Sequence, residues 1–84
     1  MRIIFTYNNG QTFTARSPAG KQWGWNSKIG SNVFKYWVAG DRSTPQTKVD
    51  LSEVKKIKII PTGSATGIVH NVKKNRIYST EKVL

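Results

Sequence analysis

The feature that most constrains the fold is a turn signal near the start of the chain. Runs of strand-forming residues flank the tripeptide Asn-Asn-Gly at positions 8–10, and Asn-Gly between such runs is a strong hairpin signal. A three-residue loop with its glycine left-handed pairs Phe5 with Phe13 and Ile3 with Ala15. This register gathers the apolar side chains on one face, whereas a two-residue turn leaves both faces mixed. Since a one-residue slip moves every side chain to the opposite face, we predict the three-residue loop.

A second hairpin is predicted near the end of the sequence. Strand-like runs at 68–73 and 76–82 flank a turn at 74–75. In this register Lys73 lies directly opposite Arg76. Two like charges in that position are mildly destabilising, so we expect a basic hairpin tip that is exposed for a function.

The segment between the hairpins is predicted to add further strands. Residues 33–39 favour a strand, because aromatic and β-branched side chains dominate there. A helix is the rival, with Ser31 as its cap and Gly40 as its end. Lysines alternate with isoleucines at 56–60, which is typical of a half-buried strand.

Loops and one helical turn connect these strands. Residues 40–46 and 61–67 are rich in Gly, Pro, Ser and Thr and are predicted loops. Asp50 followed by Glu53 approximates a capping box, enough for a single helical turn that joins Leu51 to the next strand.

The pattern as a whole predicts one domain that is all-β or β-dominated. We expect a single domain over residues 1–84 with five or six short, mostly antiparallel strands in an open barrel or roll, and at most one or two helical turns. The sequence has no cysteine, so disulfides and thiolate metal sites are excluded. No apolar run has the length of a membrane span, and we expect a cytoplasmic protein.

Positive charge is the strongest functional signal. The chain has 14 Lys and Arg against four Asp and Glu, a net charge of +10. Residues 1–42 carry six bases and one acid, and residues 43–84 carry eight and three, so the charge belongs to the folded body. Because self-repulsion opposes compaction, this balance favours a polyanionic partner over a role in solubility alone.

Catalytic chemistry is poorly represented. His70 is the only histidine, and we expect it to be a strand residue bonded to Ser79 or to water. A helix cap explains Asp50 and Glu53 better than an acid–base pair does. The stretch GSATG lacks the Lys-Ser or Lys-Thr of a Walker loop. We therefore expect no enzymatic activity, no cofactor and no metal.

Basic side chains interleaved with aromatic ones indicate nucleic-acid binding instead. Proteins that bind single strands combine a positive groove with rings on which bases stack. The candidate residues are Lys21, Trp23, Trp25, Lys35, Trp37, Lys55, Lys56, Lys58, Lys73, Lys74 and Arg76. Lysines outnumber arginines ten to four, which favours phosphate contact over base reading. The sequence predicts a module of low sequence selectivity and leaves open whether it binds DNA or RNA, as single or double strands.

The aromatic stretch at 23–37 is predicted to be divided between core and surface. A small domain has a thin core that needs large side chains. We therefore expect Phe34, Tyr36 and one of Trp23 and Trp25 to be buried. Trp37 and the other tryptophan are expected to be partly exposed. Exposed tryptophans also occur in carbohydrate-binding proteins, but the high charge does not support that function.

The sequences FTYNNGQTFTA and VDLSEVKKIKII resemble small accessory proteins of phages and mobile elements of Gram-positive bacteria. Such proteins often bind a host factor, and some inhibit host nucleases or defence complexes. If the protein is encoded by a phage, as the resemblance implies, we expect it in the host cytoplasm. The resemblance implies a second candidate function, a protein-binding inhibitor or modulator of a host factor with an acidic or nucleic-acid-binding surface. Its aromatic residues would then anchor a protein interface.

Overall fold

The fold is known from a computed structural model that describes residues 1–64 and 66–83. Ala65, in the predicted loop 61–67, and Leu84, at the end of the predicted domain, lie outside the described residues. Within these ranges no helix is long and apolar enough to cross a membrane. The elements are β1 (Arg2–Tyr7), β2 (Thr12–Arg16), β3 (Trp23–Asn26), β4 (Val33–Val38), β5 (Thr47–Asp50), a 3₁₀ turn (Leu51–Glu53), β6 (Val54–Ile60), β7 (Gly67–Lys73) and β8 (Arg76–Val83).

The strands form two antiparallel sheets. A wide sheet has the order β2-β1-β6-β7-β8, and a narrow sheet has the order β3-β4-β5. The predicted all-β class is confirmed, and β4 is a strand rather than a helix. The described residues form eight strands where five or six were predicted, and neither sheet closes into a barrel. No strand was predicted at β5, because its single apolar residue, Val49, gives no alternation; β5 forms by pairing with β4, where Val49 lies opposite Phe34.

The first hairpin has the predicted register. Phe5 lies opposite Phe13 and Ile3 opposite Ala15. Gly10 has a φ of +89°, the left-handed conformation that such a loop requires. Ile3, Phe5 and Ala15 therefore face the core, as expected, whereas Phe13 stays 54% exposed because β2 is an edge strand.

The second hairpin differs from the prediction beyond its turn. Lys73 lies opposite Arg76, as expected, but a β-bulge follows between Asn71 and Val72. The bulge leaves Tyr78 without a partner and shifts the rest of the register by one residue, so that His70 lies opposite Thr80 rather than Ser79. The expected pairing was wrong because the alternating pattern contains no signal for the extra residue.

The predicted helical turn connects the two sheets. Asp50 caps it, with a side-chain oxygen that accepts a hydrogen bond from the Ser52 backbone N–H at 2.9 Å. The turn directs Leu51 into the interior, where it is fully buried. This short element lets the chain pass directly from β5 in the narrow sheet to β6 in the wide sheet.

The core lies between the sheets and uses aromatic rings from both. Phe5 of the wide sheet contacts Phe34 of the narrow sheet edge-on, with ring centroids 5.7 Å apart. Tyr36 lies beside both rings, and it and Phe34 are buried as predicted. The remaining members of this cluster are aliphatic: Ile3, Ala15, Leu51, Val54, Ile57, Ile59, Val72 and Ile77.

Candidate nucleic-acid interface

The wide sheet has one side that faces away from the core cluster between the sheets, although Val69 on that side is also buried. Because side chains alternate along a strand, the neighbours of core residues such as Ile3 and Ile57 point outward. We call this side the wide face. Its basic members are Arg2, Arg16, Lys56, Lys58, Lys73 and Arg76, its acidic member is Glu81, and its neutral members are Ile4, Thr6, Thr12, Thr14, Ile60, Gly67, Val69, Asn71, Ser79 and Val83.

Two rows of side chains cross the whole wide face. One row runs through Thr14, Ile4, Lys58, Val69 and Glu81, and the other through Thr12, Thr6, Lys56, Asn71 and Ser79. Both lysines lie on the central strand of the sheet, β6. Since neighbouring strands are about 4.8 Å apart, each row extends over roughly 19 Å.

The wide face carries more positive than negative charge. Glu81 accepts a hydrogen bond from the Asn71 amide at 3.3 Å, so its carboxylate is already engaged. Arg2 lies directly opposite Arg16, and Lys73 directly opposite Arg76. Such like-charged pairs are destabilising in an isolated sheet. A bound anion would relieve this repulsion.

Trp23 and Trp25 do not belong to an outer surface. Trp23 contacts the Tyr36 ring edge-on at 4.9 Å, and its indole N–H donates a hydrogen bond to the Ala15 carbonyl at 2.9 Å. Trp25 also packs against the core cluster. One core and one partly exposed tryptophan were expected at these two positions, whereas both rings are half-buried.

Trp37 lies on the opposite side of its sheet. On β4 it alternates with Phe34 and Tyr36, which face the core. Trp37 therefore belongs to the outward side of the narrow sheet, which we call the narrow face. That face consists of Gly24, Asn26, Val33, Lys35, Trp37, Lys48 and Asp50.

The structure does not place all predicted binding residues together. Lys56, Lys58, Lys73 and Arg76 share the wide face, whereas Lys35 and Trp37 share the narrow face. The expectation that Lys21, Trp23, Trp25, Lys35 and Trp37 form one solvent face is corrected, because the two inner tryptophans hold the sheets together. Lys21 is exposed in the loop before β3, Lys55 lies at the β6 bulge opposite β1, and Lys74 is in the β7–β8 turn.

Two arginines of the wide face were not among the predicted binding residues. Arg2 and Arg16 alternate with Ile3 and Ala15, which are buried. The hairpin register that places these apolar neighbours inside also places both arginines outside. The sequence therefore contained the signal, in the strand alternation of the first hairpin.

His70 has a structural environment. It is buried, its Nδ1 lies 2.9 Å from Thr80 Oγ1, and its Nε2 lies 3.1 Å from Ser27 Oγ. Burial lowers the pKa of its imidazole, because it disfavours the charged form. His70 thus connects the wide sheet to the end of β3. Among the described residues, no group of three or more His, Asp and Glu is arranged to hold a metal ion.

Comparison with known proteins adds no assignment. No protein-family model matches the chain, and neither do the curated proteins or the solved structures. The resemblance to phage accessory proteins therefore stays a prediction, and a functional proposal rests on the two outer faces alone.

Proposed function

We propose that the wide face binds the phosphate backbone of a nucleic acid with little sequence selectivity. The observation that carries this proposal is the charge of that face, with six basic side chains, of which Arg76 donates a hydrogen bond to the Gly30 carbonyl, against one acid that is already hydrogen-bonded. Counterion release from phosphates that meet such a surface drives association without regard to sequence.

The arrangement of side chains on the wide face suits an extended polyanion. Lys56 and Lys58 stand at its centre, and threonine hydroxyls lie beside them on β1 and β2. Lysine and threonine are both common phosphate contacts. Over the roughly 19 Å that a row spans, duplex DNA presents about 11 phosphate charges, one per 1.7 Å of axis. The face is therefore large enough to contact several phosphates at once.

Low selectivity follows from the chemistry of the wide face. Phosphate contacts set the position of a protein on a nucleic acid but carry no sequence information directly. Base stacking by Trp23 and Trp25 is not part of the proposal, because both rings pack against the core. Binding at the wide face then relies on charge, and its affinity depends strongly on salt.

The test is a comparison of two charge-reversed double variants. Lys56→Glu/Lys58→Glu reverses the centre of the wide face, and Lys21→Glu/Lys28→Glu makes the same change in net charge at exposed loop positions. We expect the first variant to lose at least tenfold more affinity for a labelled DNA duplex than the second. Equal losses would show that only net charge matters and would contradict the proposal.

Salt dependence provides the second measurement. If the unaltered protein contacts about four phosphates, log affinity falls with log salt at a slope of about −3.6. The Lys56→Glu/Lys58→Glu variant should reduce that slope by about two. A slope near zero in the unaltered protein would contradict binding through phosphates. A protein partner that is retained in a pull-down after nuclease treatment, while DNA does not bind, would instead support the protein-binding alternative.

A further inference from the structure

A second potential binding site lies on the other side of the molecule. A cavity of about 590 Å³ adjoins the narrow face and is lined by Trp37, Gly40, Asp41, Arg42, Thr44, Pro45 and Gln46. We call it the Trp37 pocket. Its volume lies within the range of roughly 300–1,000 Å³ that small-molecule sites occupy. Since the core separates the two sheets, this pocket and the wide face are on opposite sides of the molecule.

We propose that the Trp37 pocket binds a free mononucleotide, with its base against the Trp37 indole and its phosphate near Lys35 and Lys48. The proposal is independent of nucleic-acid binding at the wide face. It assigns a site for a single planar, anionic ligand rather than for a polymer.

The position of the indole is determined by the glycine opposite it. Gly24 pairs with Trp37, and a Cβ added to that glycine would lie 2.5 Å from the indole Nε1. The ring therefore occupies the space above the β3 backbone that any other residue would fill with its own side chain. The Trp37 indole thus packs on the β3 backbone at Gly24, is half-buried, and forms part of the pocket wall. Because this packing already holds the ring in place, little side-chain conformational entropy is lost when a base stacks on it.

The rim of the pocket is fixed by a compact loop. Asp41 Oδ1 accepts hydrogen bonds from the Ser43 N–H at 2.9 Å and the Ser43 hydroxyl at 2.6 Å. Its Oδ2 accepts one from the Thr44 hydroxyl at 2.6 Å. These bonds lower the pKa of the carboxyl to about 2. Asp41 is ionised at neutral pH, as an aspartate with the ordinary pKa also is. Oδ2 retains acceptor capacity that an exocyclic amino group of a base can use.

The cations around the indole favour an anionic ligand. Lys35 precedes Trp37 by two positions on the same face of β4, and it lies directly opposite Lys48 on β5. Arg42 lines the pocket itself. Asp50 is the one acid on this strand face, and its carboxylate already accepts a hydrogen bond from the Ser52 N–H. A sugar would use the ring but would leave the two lysines with this single acid. An aromatic base joined to a phosphate meets both the ring and the lysines.

The ligand used for the test is adenosine 5′-monophosphate. Titration into the ¹⁵N-labelled protein, followed by NMR, should shift the Trp37 indole N–H resonance, which the Trp37→Phe variant identifies. Adenosine should bind more weakly, and inorganic phosphate or maltose should leave this resonance in place. No shift with the nucleotide, or a shift produced by maltose alone, would overturn the proposal.

Four variants separate stacking on Trp37 from folding and from binding at the wide face. Trp37→Ala should weaken nucleotide binding by about five- to 150-fold, the range expected for one stacked base, and Trp37→Phe by less. Gly24→Ala keeps the tryptophan but displaces its ring, and it should also weaken binding. Lys56→Glu/Lys58→Glu should bind the nucleotide normally even where it no longer binds duplex DNA. Unchanged binding by Trp37→Ala, with the thermal unfolding transition retained, would exclude the site.

Discussion

The wide face and the narrow face differ in how they arrange positive charge. On the wide face, five adjacent strands place lysines, arginines and threonines in rows, and a cavity adjoins only one end of these rows, at Arg2 and Arg16, among the cavities recorded for the described residues. On the narrow face, three short strands leave room for a loop that folds beside Trp37 and lines an open pocket with it. The first surface suits an extended polyanion, and the second suits one small ring with an attached anion.

The difference has a structural origin in the lengths of the strands and of their connections. In the wide sheet, β1 and β2 are joined by a tight hairpin, and so are β7 and β8, so the outward side chains keep the regular spacing of a sheet except at the bulges around Lys55 and Tyr78. In the narrow sheet, β4 and β5 are joined by the longer loop 40–46, whose own hydrogen bonds give it a fixed shape. Charge on strands is distributed over an area, whereas a structured loop beside a strand can enclose a site.

The largest expected effect tests whether both faces belong to one cooperative unit. Phe34 is fully buried between the sheets, so Phe34→Ala should lower the free energy of unfolding by about 3–5 kcal/mol. Phe13→Ala is the matched control. Its ring is 54% exposed and stacks on Phe5, and its loss should cost about 1 kcal/mol. Denaturant unfolding followed by near-ultraviolet circular dichroism measures both, and equal losses would mean that the sheets do not share this core.

A smaller effect concerns His70, which connects the sheets through Ser27. Burial lowers the pKa of His70 below its usual value of 6.5, so the unfolded chain binds a proton that the folded chain does not. Its contribution to stability is complete above pH 6.5 and decreases as the pH falls below that value. We expect unfolding free energies measured at pH 7.5 and 5.5 to differ more in the unaltered protein than in His70→Gln. An equal difference in both proteins would assign the pH dependence to other groups.

The smallest expected effect concerns a pair of like charges on the wide face, where one substitution should raise stability and lower the affinity for DNA. Arg16 lies directly opposite Arg2, so Arg16→Thr should raise the free energy of unfolding at low salt by about 0.2–1 kcal/mol. The same change should weaken binding to duplex DNA, because it removes a phosphate contact. Lys28→Thr, in a loop, is the control. If Arg16→Thr left affinity unchanged, that end of the face would not take part in binding.

The sequence predicts those parts of the fold that local patterns determine. The loop at 8–10 and its register follow from Asn-Gly and from alternating apolar residues, and the 3₁₀ turn follows from the Asp50 cap. The bulge at Tyr78 has no local signal, so the register of the last hairpin was wrong beyond its turn. Likewise β5 exists only because β4 provides a partner strand.

The candidate sites were harder to predict, for a related reason. Alternation shows that Trp23 and Trp25 share one side of β3 and that Trp37 is on the other side of its sheet from Phe34. It does not show which side the second sheet will cover. That depends on the packing of β3 against β2, where Trp23 donates to the Ala15 carbonyl. The outward direction of the β6 lysines could be predicted, because the isoleucines that alternate with them were expected to face the core.

The most direct test of the account is a map of where duplex DNA contacts the protein. A short duplex of mixed sequence offers phosphates but no unpaired base, so it should engage only the wide face. Titrated into the ¹⁵N-labelled protein, it should shift amide resonances of β1, β6 and β7 around Lys56 and Lys58 and leave those of β3 to β5 in place. Shifts spread evenly over both sheets, or confined to the narrow sheet, would contradict the assignment of the wide face as the phosphate-binding surface.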